Sequence, residues 1–184
     1  MKRLSAVLLM VPLLVFPPLL QGAGLPQPKQ IPDLQVLDQN GQTRQFYTDL
    51  IKNKTVAINF IFTRCGFTCP LLGVKFGALQ RKLNDHQAEP VQLISVSTDP
   101  LNDTPQRLKA WLNKYGTEKN WTLVTGEKST IDQLLKAMQA FAPDINDHST
   151  LILIGNDRNH QWKRLDGQSK VAVLDDALAA LDAK

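Results

Sequence analysis

Two runs of the chain, TVAINFIF at residues 55–62 and VQLISVST at residues 91–98, are rich in β-branched and apolar residues and contain few polar positions. A strand with one face in water alternates apolar and polar side chains, whereas a strand covered on both faces does not. The two runs therefore predict buried strands of a sheet with a layer packed against each face. The segments between and after them indicate what those layers are.

Three helical patterns alternate with these strands. The first follows Cys69 with Pro70 in its first turn, and the second begins at Pro105 after Thr104 as N-cap. The third is STIDQLLKAMQAFAPD, residues 129–144. Apolar residues at helical spacing predict three inward faces: Leu72, Phe76, Leu79 and Leu83; Leu108, Trp111, Leu112 and Tyr115; and Ile131, Leu134, Leu135, Met138 and Phe141.

The remaining segments complete the predicted fold. An Asn40-Gly41 pair inside DLQVLDQNGQTRQF predicts a leading β-hairpin, and WTLVTG a short strand. TLILIG at 150–155 and HQWKRLDG at 160–167 predict a second hairpin, followed by a helix at 171–184. The chain is therefore predicted to be α/β, with a central mixed sheet, helices on both faces and an N-terminal β-hairpin.

The N-terminus has the layout of an export signal. Lys2 and Arg3 precede an apolar run that three prolines interrupt, and the small residues QGAG follow it. Residues 1–24 are predicted to be a signal peptide or an N-terminal anchor, residues 25–32 an extended linker, and residues 33–184 the folded domain. The run is short for a bilayer span of about 20 residues, which favours a cleaved peptide over membrane attachment.

Export also indicates the surroundings of the domain. We expect a periplasmic protein, or one anchored so that it faces the periplasm or an equivalent intermembrane space, where a thiol pair can be oxidised. Basic residues exceed acidic ones by 21 − 17 = 4, but they are scattered singly and in pairs. The sequence therefore predicts no binding to nucleic acid.

The only two cysteines, Cys65 and Cys69, lie at the predicted turn from strand to helix. A structural disulfide across so short a loop would contribute only about 2 kcal/mol. A redox pair needs the loop to bend, because residues four apart on a helix have Cβ atoms about 5–6 Å apart, beyond disulfide range. Two thiolates at this spacing can hold copper(I) or zinc without touching. The redox and metal interpretations both remain open.

The position of the pair also predicts its acidity. The positive end of a helix stabilises a thiolate, and Arg64 is adjacent in sequence. We therefore expect at least one of the two cysteine pKa values to be lowered, against the opposing effect of burial under Phe67.

A metal site with two sulfurs needs a further ligand, and the chain has three histidines. His86 follows a predicted helix and His160 lies at a predicted hairpin tip, where solvent-exposed residues are expected. His148 stands immediately before the strand at 150–155, which we expect to run beside the strand at 55–62. This position near the cysteines favours His148 as the ligand.

The segments NFIFTRCGFTCP, ISVSTDPLNDTP and HSTLILI, in this order and at these separations, resemble the SCO/SenC family of copper-binding, thioredoxin-fold proteins. The resemblance implies a thioredoxin-like domain that binds copper(I) or copper(II) through Cys65, Cys69 and His148. Asp99 matches an acidic position near that site. It also implies a copper chaperone that helps assemble the CuA centre of cytochrome c oxidase. The partner would be the CuA-bearing subunit or another copper-accepting or thiol-bearing protein.

The alternative function is that of a thioredoxin-like thiol:disulfide oxidoreductase, an enzyme in which Cys65 and Cys69 reduce partner cysteines. Gly66, where many SCO/SenC relatives have proline, leaves the balance between copper binding and dithiol chemistry open. Such oxidoreductases have Cys-x-x-Cys and a proline before the facing strand, where this chain has Asp147-His148-Ser149. A peroxiredoxin is disfavoured, because FTRC lacks the Pro-x-x-x-Thr-x-x-Cys context of a peroxidatic cysteine.

Overall fold

The computed structural model describes residues 30–86, 90–147 and 150–182. The predicted leader, residues 1–24, lies outside the described residues, and so do residues 25–29 of the predicted linker. Within the described ranges, no helix has the length and apolar content needed to cross a membrane. The domain boundary at residue 33 remains a prediction.

The described residues form seven strands and five α-helices, with one 3₁₀ turn at Ile145–Asp147. In chain order they are β1 (Gln35–Asp38), β2 (Thr43–Gln45), α1 (Phe46–Leu50), β3 (Thr55–Ile61), α2 (Thr68–His86), β4 (Gln92–Ser97), α3 (Pro105–Tyr115), β5 (Trp121–Thr125), α4 (Lys128–Ala137), β6 (Leu151–Asn156), β7 (Gln161–Asp166) and α5 (Val171–Asp182).

The strands form one mixed sheet in the order β2-β1-β5-β4-β3-β6-β7. β3, β4 and β5 are parallel to one another, because α2 and α3 return the chain to the same end of the sheet between them. β6 is antiparallel to β3, and β1 is antiparallel to β5. The mixed sheet with helices on both faces confirms the predicted α/β, thioredoxin-like fold.

Each face of the sheet has its own core. α2, α3 and α5 cover one face, where the Trp121 ring lies 5.7 Å from the Phe76 ring and 6.0 Å from the Trp111 ring, centre to centre. α1 and α4 cover the other face, around Phe46 and Ile58. All seven residues of β3 are buried, which confirms a strand covered on both sides.

The structure confirms the predicted turn between β1 and β2 and the predicted N-cap of α3. β1 and β2 pair across the predicted turn, in which Gly41 has a φ of 75° that glycine accepts without strain. Thr104 caps α3 by accepting a hydrogen bond from the Arg107 N–H at 3.3 Å. The hairpin of β6 and β7 and the closing helix α5 were also confirmed.

Two helices differ from the prediction. α1 was not predicted, and its first N–H groups are capped from outside by Asp33, which accepts from Tyr47 and Thr48 at 3.0 Å each. α4 ends at Ala137 because Gln139 takes the left-handed conformation, with φ 53°. The chain then leaves the core, so the predicted inward position of Phe141 is wrong: its side chain is 37 % exposed.

Candidate metal and thiol site

The two cysteines lie at one edge of the sheet. β3 and β4 are parallel and end together there, with Ile61 opposite Ser97. β6 is antiparallel to β3, so it begins at this edge with Leu151. We call this region, where β3 and β4 end and β6 begins, the cysteine edge.

The cysteines occupy different environments. Cys65 lies in the turn after β3 and its N–H donates to the Phe62 carbonyl at 3.2 Å. α2 begins at Thr68, so Cys69 lies inside the first turn of the helix, and the prediction that the helix begins after Cys69 is wrong. Cys65 is partly exposed, whereas Cys69 is fully buried, and no disulfide joins them. Only Cys65 can therefore meet another molecule directly.

Backbone N–H groups point at both sulfurs. The Cys69 N–H donates to the Cys65 Sγ at 3.3 Å, and the Phe62 N–H donates to the Cys69 Sγ at 3.4 Å. The Cys69 N–H lies in the first turn of α2, where N–H groups have no intrahelical partners and are available to an anion, whereas the Phe62 N–H lies directly after β3. Residues close together in the chain therefore supply the N–H groups that contact both sulfurs.

These contacts shift the two thiol pKa values in opposite directions. Burial opposes ionisation of Cys65 and is the largest single effect, but the N–H groups of Cys69, Phe67 and Thr68 and the Cys69 thiol together hold its pKa below the ordinary value. Burial raises the pKa of the Cys69 thiol far above its usual range, against the hydrogen bond from Phe62. Reduced protein thus has one acidic, partly exposed sulfur and one protonated, buried sulfur.

Two parts of the predicted acidity need correction. The leading causes of the lowered Cys65 pKa are N–H groups and the Cys69 thiol, and the Arg64 guanidinium is instead paired with Asp99. Phe67 does not bury the pair, since its side chain is 78 % exposed. The lowered pKa itself was predicted correctly, from the helix N-terminus.

A buried carboxylate fixes the start of the cysteine turn. Asp103 is 1 % exposed and accepts hydrogen bonds from the Thr63 N–H at 3.1 Å, the Thr63 hydroxyl at 2.6 Å and the Ser97 hydroxyl at 2.7 Å. Burial raises the pKa of Asp103 despite these bonds, and the nearby Asp99 raises it further. The sequence analysis missed Asp103, and its spacing from the cysteines gave no local signal.

Asp99 contacts the turn that contains Cys65 through Arg64. The Arg64 Nη2 lies 2.9 Å from the Asp99 Oδ2, and the Asn102 side-chain amide also donates to Asp99. Arg64 and Asp99 line a cleft of about 580 Å³ together with residues 140–145. That segment leads along the chain toward position 148.

The predicted third ligand, His148, lies outside the described residues. Its described neighbours are Asp147, which ends the 3₁₀ turn, and Thr150, which precedes β6 at the cysteine edge. His86 ends α2, about 26 Å along the helix from Cys69 at 1.5 Å per residue. His160 lies in the exposed turn between β6 and β7, at the opposite edge of the sheet. Neither of these two can join the cysteines.

The sulfurs of Cys65 and Cys69 could provide two of the ligands of a soft metal ion. Two sulfurs on one turn, one of them acidic, suit copper(I) or zinc. The described ranges contain no group of three or more histidine, cysteine, aspartate or glutamate residues that could hold an ion.

An apolar groove adjoins the cysteines, and the sequence analysis did not predict it. Leu71 and Val74, each 58 % exposed, lie on the outer side of α2, and Phe67, 78 % exposed, directly precedes the helix. They line a groove of about 680 Å³ that also includes Thr150. The signal was present in the sequence as a second apolar stripe on α2, which the inward stripe of the same helix obscured.

Comparison with known proteins identifies relatives of the whole domain. The SCO1/SenC family model matches residues 24–181. A protein of Stutzerimonas stutzeri named for copper binding is 31 % identical over 161 residues, which cover 80 % of this chain and 77 % of that protein.

Solved structures agree with this comparison. A SCO1/SenC family lipoprotein from Bacillus anthracis is 27 % identical with a TM-score of 0.71, and the match covers 81 % of this chain and 92 % of that one. BsSco, a member of the Sco family of cytochrome c oxidase assembly proteins in which a disulfide switch was identified, is 26 % identical with a TM-score of 0.70. That match covers 83 % of this chain and 91 % of BsSco.

Proposed function

Because the chain belongs to the SCO1/SenC family, we propose that it is an exported copper-binding protein that assists assembly of the CuA centre of cytochrome c oxidase. The observation that carries this proposal is the unequal thiol pair at the start of α2. A copper carrier must accept the ion from one protein and release it to another, so at least one ligand has to be accessible. Cys65 meets that requirement, and Cys69 retains the ion from the buried side.

We propose His148 as the third ligand. Support comes from both described flanks of this residue. Thr150 lines the same groove as Phe67 and Thr68, and these two residues lie between Cys65 and Cys69 in the chain. On the other side, Ile145 packs against the same core as Cys65. An imidazole is a good ligand for copper in either oxidation state.

Proton release should accompany copper uptake. Thiolates, and not thiols, are metal ligands. Cys69 is held protonated by burial, so a proton must leave it before it can bind the ion. Copper(I) affinity should therefore increase as pH rises, while Asp103 and Thr63 keep the turn in place throughout.

The experiment measures copper binding and disulfide reduction side by side on the parent chain, His148→Ala, Cys65→Ser and the control His160→Ala. His148→Ala leaves two sulfurs, so copper(II) should be lost or bound far more weakly and copper(I) weakened less. His160→Ala changes a histidine at the opposite edge and should bind both ions as the parent does. Parent-like binding of both ions by His148→Ala contradicts the ligand assignment.

The second candidate function is thiol:disulfide exchange, and the hydrogen-bonded, unequal thiols favour it. The Cys65 thiolate would attack a partner disulfide, forming a mixed disulfide and releasing one partner thiolate. Cys69, once deprotonated, would attack the Cys65 sulfur, releasing the second partner thiolate and leaving a Cys65–Cys69 disulfide. Two electrons thus pass to the partner. In this case Cys65→Ser abolishes reduction, whereas His148→Ala leaves it nearly intact.

A further inference from the structure

α2 has two apolar stripes, and only one of them faces the core. Leu72, Phe76, Leu79 and Leu83 are buried under the sheet, as predicted. The second stripe consists of Leu71, Val74 and Ala78, whose spacings of three and four place them on one side of the helix, and it is extended by Phe67, the residue directly before α2. Three of these four are among the most exposed large apolar side chains in the described part of the chain.

The groove along this second stripe has a fixed opposite wall. That wall consists of Thr150, residues 167–170 and Val171 at the start of α5. The Lys75 ammonium holds it in place by donating to the carbonyls of Gly167 and, at 2.6 Å, Ser169. These hydrogen bonds link α2 to the opposite wall, so the groove is present without a bound partner.

The charged side chains that line the groove are basic, and Asp166, just outside the lining, also acts electrostatically on Lys75. The charged lining residues are Lys75 and Lys170, and no acidic side chain is among the described residues that line the groove. An ammonium group has three donors, of which Lys75 uses two on backbone carbonyls. One donor remains for a ligand, and a carboxylate would satisfy both the hydrogen bond and the charge.

We propose that this groove binds an apolar segment of the copper-accepting protein that bears a carboxylate about 12 Å from its own sulfur ligand. Phe67 at one end of the groove lies between the cysteines, and Lys75 is eight residues further along. Eight residues of helix span about 12 Å, which an extended segment covers in about four residues. The inference rests on the proposed function, because copper transfer requires the acceptor's sulfur to reach the exposed Cys65.

Docking is tested with the full, reduced, metal-free chain, so that it is measured apart from copper binding. The probe is the labelled peptide Gly-Ser-Leu-Ser-Leu-Asp-Gly, whose first serine replaces the acceptor's cysteine, with fluorescence anisotropy as the readout. Two further peptides serve as comparisons: one has asparagine for aspartate, and one has aspartate moved next to the first serine. The parent should bind the first peptide several-fold more tightly than either of the others.

The protein variants are Leu71→Ser and Val74→Ser, with Val173→Ser as the matched control. All three residues are exposed apolar side chains on helices, but Val173 is not part of the groove. Each groove variant should weaken peptide binding about tenfold, the size of effect expected for an apolar residue at the centre of an interface. Circular dichroism should be unchanged, because neither side chain is buried. Val173→Ser should bind as the parent does.

Several results would overturn the inference. They are equal binding by Leu71→Ser and Val173→Ser, equal binding of the three peptides, and absence of saturable binding by the full chain. A concentration-dependent dimer that Leu71→Ser dissociates would assign the groove to a second copy of the chain instead. If the parent binds no copper but selects the peptides as expected, the groove assignment stands and the copper proposal fails.

Discussion

Asp103 accepts hydrogen bonds from Thr63, at the start of the turn that contains Cys65. Two substitutions at this residue should change the stability of the protein in different ways. Asp103→Leu keeps the approximate size of the side chain but removes both oxygens. The Thr63 N–H, the Thr63 hydroxyl and the Ser97 hydroxyl then lose their acceptor. At about 1 kcal/mol for each donor, we expect the free energy of unfolding to fall by about 3 kcal/mol.

Asp103→Asn should behave differently. The raised pKa of Asp103 means that folding disfavours the carboxylate relative to the neutral carboxylic acid. Asparagine is the neutral counterpart, with one oxygen to accept from Thr63 and an amide that can donate to the Ser97 hydroxyl, which can rotate to receive it. We therefore expect Asp103→Asn to be at least as stable as the parent at neutral pH.

The pH dependence of this difference follows from linkage. A carboxyl whose folded pKa is raised contributes stability that is present below its unfolded value, near 3.8, and is lost as pH rises through the folded value. The parent should therefore lose stability relative to Asp103→Asn over that range. Asp176→Asn, at an exposed position of α5, serves as the control and should match the parent.

Urea denaturation of the reduced, metal-free protein at several pH values provides the measurement. The reasoning would be refuted if Asp103→Asn lost as much stability at neutral pH as Asp103→Leu. That outcome would mean that the hydrogen bonds to the charged carboxylate outweigh the cost of burying it. The Asp103 pKa would then be lowered, and Thr63 would be held by a charge.

Two further predictions concern the cysteines and the packing of α2. Iodoacetamide should modify Cys65 well before Cys69, and the rate at Cys65 should fall as pH is lowered through its pKa; equal labelling in a peptide mass map would contradict their unequal burial. Gly77→Ala should destabilise the protein by about 1–3 kcal/mol, because its Cβ would lie 2.0 Å from the Tyr115 carbonyl oxygen. Gly66→Ala meets no atom within 4 Å and should change stability by at most about 1 kcal/mol. Similar effects of the two alanines in chemical denaturation would refute this comparison.

The strands and most of the helices could be predicted because their signals are local. The run at 55–62 has few polar positions and needs cover on both faces wherever it lies. Thr104 caps a helix and Pro105 suits its first position, whatever the rest of the chain does. The acidity of one cysteine could be predicted for the same reason. It depends on N–H groups of the turn that contains both Cys65 and Cys69.

The residue at which α4 ends and the existence of α1 could not be predicted from local sequence signals. The periodic pattern continues through Phe141, but the backbone turns at Gln139, a residue with no glycine-like signal for the left-handed conformation. α1 is capped by Asp33, which lies beyond its own turn and is brought to it by the pairing of β1 with β2. Periodicity describes one segment and contains no information about a cap supplied by another.

The sequence by itself determined that Cys65 and Cys69 lie at a strand-to-helix turn, because residues next to each other in the chain create that turn. Only the tertiary structure decided that Asp103, from the loop after β4, lies under it, since parallel strands end at the same edge of the sheet. The tertiary structure also decided which apolar stripe of α2 is buried. Both stripes have helical spacing, and the sheet covers only one of them, so the stripe that begins at Phe67 remains exposed beside the cysteines.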